Sequence, residues 1–133
     1  MPVRLTHGAP DAVQAAVTGV TLARESLVGG GSGAWEPVPL GSVASPPGTA
    51  WHALHYGTAA VASAGTFADT LRAAAVHGAG PTIVAGALFG ATHGVQALPE
   101  GWVGRLEVGW VADRLARDAY TEITQNPNAG RWP

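Results

Sequence analysis

Apolar residues recur along this chain at three- and four-residue steps, and strand-like alternation of Val, Ile, Thr and aromatic residues is nearly absent. Val13, Ala16, Val17, Val20 and Leu27 form the first such stripe, with Gln14, Thr18, Thr21 and Glu25 mostly off it. Pro10 suits a first helical turn and Asp11 complements the positive end of the helix dipole, so the pattern predicts a helix over residues 10–27, ended by Gly29-Gly30-Gly31. A second helix is predicted over residues 49–64, with Thr49 as N-cap after Pro46-Pro47-Gly48. A third starts at Thr66, where Asp69 three residues on approximates a capping box, and runs through Phe67, Leu71 and Ala74 to Val76 before His77-Gly78 closes it. A fourth spans residues 81–93. Its Gly86, Gly90 and Gly94, four apart, predict a smooth groove approached closely by another helix. A short helix over residues 98–106 and a last one over residues 109–123, with Arg114, Arg117 and Asp118 on its wet side, complete an all-α domain of five or six helices.

Two stretches carry no helical period. Residues 29–48, rich in Gly, Pro and Ser, are long for a connection inside one domain and are read as a functional loop, a disordered strip or the scar of a deletion. The tail over residues 124–133, with Asn126-Pro127-Asn128, is expected to fray. At 133 residues and 13.4 kDa the chain fits a single domain over residues 1–133.

Composition narrows the chemistry. With 47% apolar residues, the chain has material for a core and is not primarily disordered. Seven basic residues, all Arg, stand against nine acidic ones, so no basic face for nucleic acid is expected. Cysteine is absent, which excludes disulfides, thiolate catalysis and cysteine-ligated metals. Residues 1–7 have no apolar run of the secretory kind. The longest apolar stretch, residues 81–91, is far short of the ~20 residues of a membrane span, so a soluble, cytoplasmic protein is expected.

Among groups that carry chemistry, His52 and His55 share a helix face at a spacing able to hold a metal, but no HExxH and no adjacent carboxylate accompany them. His77 precedes Gly78-Ala79-Gly80-Pro81-Thr82, a Gly-rich turn opening a helix whose free N–H groups can face an anion. This turn is not a Walker A loop, which needs a lysine. His93 and His7 read as caps. No serine sits in a GxSxG context. The nine carboxylates are scattered, with no DxD, DD or ExxE, so no carboxylate-bridged metal site is legible. Trp51, Trp102 and Trp110 fall in helical stretches and read as core or interface residues, while Trp35 and Trp132 read as contact residues in flexible segments.

The order of these pieces resembles the ADP-ribosylglycohydrolases. Thr6-His7-x-x-Pro10-x-Ala12 looks like the family's "TH…P.A" segment, and Phe67 to Val76 looks like its "sFeeaLrrAv" helix. The segment from Gly86-Ala87-Leu88-Phe89-Gly90-Ala91 through Gly94 and Pro99 to Trp102 resembles "GALlGAxyGxxaiPxxW". The resemblance covers residues 5–115, apart from residues 29–48, and implies an all-α fold like the C-terminal half of that family. Family members are about twice as long. The half that carries their "GDxxG" opening and "TDDT" segment has no counterpart here. Their second metal motif, "GGDTDT", is replaced by Val76-His77-Gly78-Ala79-Gly80-Pro81-Thr82.

For an active member the resemblance implies a pair of magnesium ions, held by Asp and Thr oxygens, that orient ADP-ribose and activate water. Gly, Ala and Pro offer no side-chain oxygen, and imidazole is a poor magnesium ligand. The expectation is therefore a truncated, non-catalytic member with no catalytic and no metal-ligating residues and no cofactor. It would keep weak affinity for ADP-ribose or a phosphate-like anion around His77, Gly78, Ala79, Gly80 and Thr82. It would act as a homo-oligomer or with a separately encoded partner half, with no nucleic acid and no membrane. The alternatives are an active hydrolase completed by a partner chain or by a rearranged site around His52, His55 and His77, and an accessory helical interaction domain unrelated to ADP-ribose.

Overall fold

The computed structural model describes residues 9–29, 36–39, 46–63 and 65–125. Its elements are α1 (Pro10–Gly29), α2 (Ala50–Ser63), α3 (Phe67–Ala75), α4 (Ala79–His93), a 3-10 turn (Val95–Ala97), α5 (Glu100–Val103) and α6 (Gly109–Gln125). The protein is all-α, with no strand among the described residues, and every helix starts within a turn of where its sequence signals predict. His7, Trp35, Trp132 and the tail beyond Gln125 lie outside the described residues, as does most of the Gly-rich stretch.

Local chemistry sets these boundaries. Thr49 accepts the N–H of His52 at 3.3 Å and so caps α2. At α3 the capping box forms: the Thr66 hydroxyl accepts the Asp69 N–H at 3.1 Å and donates to Asp69 Oδ2 at 2.7 Å. The Thr66 hydroxyl, and after it Arg72, hold the Asp69 carboxyl below its usual range. A depressed carboxylate adds stability above its unfolded-state pKa, and that stability is lost as pH falls through the folded-state value. Thr66→Ala is therefore expected to move the Asp69 pKa back up toward the ordinary value. An NMR titration that finds it unmoved would dissociate the shift from the cap.

Contacts divide the chain into two units, Met1–Leu98 and Pro99–Pro133. In the first, α4 is the central helix. It packs most extensively on α2 and also meets α3 and α1. The core combines Ala60 and Val61 of α2, Ala74 of α3, and Ala85, Leu88 and Phe89 of α4. Half of these are alanines, so the helices approach closely rather than through long side chains. The closest approach is at Gly57, where a Cβ would stand 2.6 Å from Val84 Cγ1 and 3.2 Å from the Ala85 backbone nitrogen.

The three spaced glycines of α4 do not make the expected groove. Gly86 does face α3, with Leu71 Cδ2 3.3 Å from a Cβ built there, but Gly90 and Gly94 meet nothing within 4 Å. Gly94 instead ends α4, its N–H donating to Gly90 O at 2.9 Å. Four-residue spacing places residues on one face but does not say how far along that face a neighbour reaches, and α3 is only nine residues long.

In the second unit, α5 and α6 bury no residue. Trp102 is 50% and Trp110 76% exposed, so neither is a core residue, whereas Trp51 is half-buried. The wet side of α6 carries the predicted charges as i,i+4 pairs, Asp113–Arg117 at 2.8 Å and Arg114–Asp118 at 3.2 Å. No described helix is long and apolar enough to cross a membrane.

Candidate functional site at the α3–α4 loop

The loop that the sequence singles out is a tight reversal. His77 N–H donates to Ala74 O at 3.0 Å and Gly78 N–H to Ala75 O at 3.1 Å, which winds up the end of α3. Gly78 then takes φ +112°, a conformation that side-chain-bearing residues rarely adopt, and serves as the N-cap of α4 without any side-chain cap. The helix begins at Ala79, two residues before the expected Pro81. Ala79 and Gly80 thus belong to its first turn, where their N–H groups have no intrahelical acceptor. Pro81 is buried and contributes no N–H. Thr82 N–H makes the first ladder bond, to Gly78 O at 3.4 Å, and the Thr82 hydroxyl donates to the same oxygen at 2.8 Å. His77, Gly78, Ala79 and Gly80 are exposed and Thr82 is half-buried, so the five predicted residues share one surface turn.

The histidines converge on a residue the sequence reading did not single out. Tyr56 of α2 stacks on His77, with ring centroids 3.8 Å apart and 17° between planes. The same ring lies 4.7 Å from His52 and 4.7 Å from His55, the latter edge-on at 84°. Tyr56 sits one turn after His52, a signal that was available, but its contact with His77 is tertiary. The two α2 histidines differ in role. His52 is 7% exposed, and its buried Nδ1 has no partner among the described residues. His55 Nδ1 lies 2.6 Å from Val38 O, and because a carbonyl only accepts, this nitrogen carries the proton. Among the described residues no three His, Asp or Glu side chains group to hold a metal. His93 ends α4 with its ring 4.3 Å from that of Phe89.

Beside the stack lies an open pocket of about 420 Å³, walled by Pro37, Tyr56, Ala59, Ser63, Ala73 and His77. Pro37 comes from the Gly-rich stretch, whose residues 36–39 are docked on α2. Val38 N–H donates to the Thr58 hydroxyl at 2.8 Å, and Val38 O accepts from His55. A second, almost wholly apolar groove of about 380 Å³ runs between α1, α2 and α4, past Ala15, Gly19, Val20, Ala53, Ile83 and Val84.

No carboxylate belongs to the loop. Asp69 is engaged at both oxygens, by Thr66 and by Arg72. Asp113 is held below the usual carboxylate range by the hydrogen bond from Arg117. Glu36 is exposed at the start of the docked segment.

A chain that is all-α among the described residues and turns between α3 and α4 on a Gly-rich loop is the architecture the resemblance implied. The family model for ADP-ribosylglycohydrolase matches residues 34–129, most of the chain. The chain belongs to the ADP-ribosylglycohydrolase family. The matched span includes the Phe67–Val76 and Gly86–Trp102 segments, while the Thr6–Ala12 segment lies before it. No curated protein and no solved structure matches the chain significantly.

The residues present do not fit the magnesium pair of an active member. Hard dications take oxygen ligands. The only side-chain oxygen in the loop, Thr82 Oγ1, already bonds Gly78 O, and the only imidazole is stacked on Tyr56.

Proposed function

We propose that this chain is a non-catalytic member of the ADP-ribosylglycohydrolase family that acts by binding. The observation that carries this reading is the α3–α4 loop, where Ala79 and Gly80 carry N–H groups without an intrahelical acceptor and no position carries a carboxylate. A turn of this kind presents weak positive potential from the α4 N-terminus, which suits a phosphate-like anion such as the diphosphate of ADP-ribose. It provides nothing to offset the dehydration of a magnesium ion, so water activation of the family type has no support in it. The expected result is no magnesium-stimulated release of ADP-ribose from a modified protein or nucleic acid. At most, weak binding of ADP-ribose or inorganic phosphate is expected, by titration calorimetry, at Gly78 to Thr82. Robust hydrolysis by the purified chain, abolished by a chelator, would overturn the reading.

Association is part of the same proposal. The apolar groove between α1, α2 and α4 is flanked by Val20 and Ile83, 68% and 72% exposed, and α6 leaves Leu115, Tyr120 and Ile123 more than half exposed. Uncovered apolar surface of this kind supports a homo-oligomer or a partner half. Sedimentation at micromolar concentration is expected to give a mass above that of the monomer, and a stable 13.4 kDa species would remove this part of the proposal.

A further inference from the structure

We infer that residues 36–39 form a latched strap that gates the Tyr56–His77 pocket. This inference stands whether or not the α3–α4 loop holds an anion. Within the strap, prolines at 37 and 39 leave Val38 as the only residue between Glu36 and Leu40 with a backbone N–H. Both polar groups of Val38 are used, and both bind α2: the N–H goes to Thr58 Oγ1 at 2.8 Å and the carbonyl to His55 Nδ1 at 2.6 Å. His55 and Thr58 are three apart and so share a helix face. The latch is thus one residue wide, and its side chain is half-buried while Pro37 and Pro39 are exposed.

The latch can open without damaging the helix beneath it. The Thr58 hydroxyl donates within α2, to Leu54 O at 2.8 Å and His55 O at 3.0 Å, so its proton stays satisfied when Val38 leaves. Among the described residues the segment is held by two side-chain bonds and one half-buried residue, which places it at the low-stability end of the fold. What it borders is specific. Pro37 is a wall of the pocket, and the latch residue His55 lies edge-on against Tyr56, the ring that stacks on His77. Departure of the strap therefore widens the pocket mouth and frees one neighbour of its stacking pair.

The test uses the absence of cysteine from the chain. Ala59→Cys places a single thiol on the pocket wall, and its labelling rate by a neutral maleimide reads pocket access. Val38→Pro removes the strap's N–H, exchanges its half-buried side chain for the proline ring, and leaves the α2 sequence untouched. It is expected to raise the rate roughly five- to tenfold, the effect of one net hydrogen bond. Thr58→Val, which removes the acceptor, is expected to do the same. Unchanged labelling in the Val38→Pro background overturns the strap, and acceleration by Thr58→Val alone also overturns it, because that pattern reports a loosened helix. A second readout needs no cysteine: ring nitrogen-15 shifts of His55 are expected to show Nδ1 protonated in the intact chain. A bare Nδ1 with protonated Nε2 overturns the latch.

Discussion

Gly57→Ala is expected to destabilise the protein by roughly 1–3 kcal/mol, the usual cost of overpacking a close helix contact. The sign makes this a sharp test. Inside a helix, alanine is normally favoured over glycine by about 1 kcal/mol, so a variant at an open position would gain stability. At Gly57 the added Cβ would stand 2.7 Å from Val84 Cβ and 3.2 Å from the Ala85 nitrogen. Neither neighbour is the tip of a flexible side chain. A β-branched carbon and a backbone atom move only if α4 moves, and α4 is the helix that the other three of its unit pack on. A melting temperature equal to or above that of the parent would show that α2 and α4 are farther apart than described here.

Phe89→Ala is expected to cost more, roughly 3–5 kcal/mol. Phe89 is 3% exposed and meets Phe67 edge-to-face at 5.4 Å between ring centroids, with His93 on its other side at 4.3 Å. The rest of the buried core is mostly alanine and valine, so filling the void falls to shifts of Leu88 and of the partly buried Phe67, Leu22 and Leu98. Against a typical total stability of roughly 5–15 kcal/mol, the loss leaves a marginal protein. Urea denaturation that registers a loss under about 1 kcal/mol would mean the ring is not the centre of the core.

What could be read from the sequence was what neighbouring residues decide among themselves. Thr66 and Asp69 sit three apart and make their box with each other. Pro10 marks a helix start through its fixed backbone angle, and Thr49 marks one through its side-chain cap on His52. Gly57 shows where this kind of reading ends. It lies in an Ala-rich helix like several other glycines, and only the path of α4 makes it the tight contact while Gly90 stays open. Trp110 likewise has the composition of a buried anchor and the position of an exposed one.

The candidate site divides along the same line. The α3–α4 loop could be located because the family order fixes what precedes and follows it, and the missing carboxylates could be read directly from Gly78, Ala79 and Gly80. The partner of His77 could not, because Tyr56 is far away in the chain and reaches it only when α2 and α3 fold back on each other. Val38 was hidden for a different reason. A single half-buried residue between two prolines has no periodicity, so its attachment to His55 and Thr58 leaves no pattern in a stretch rich in Gly, Pro and Ser.

The last helix bears on how the protein should melt. α6 buries no residue and is laced by exposed i,i+4 charge pairs, so part of its order comes from its own backbone bonds and from ion pairs that salt screens. A 17-residue segment of this kind passes from helix to coil gradually. The first unit, with its shared core around Phe89, has the makings of an all-or-none transition. Ellipticity should therefore begin to fall, and to fall earlier in high salt, while the calorimeter still records a flat baseline.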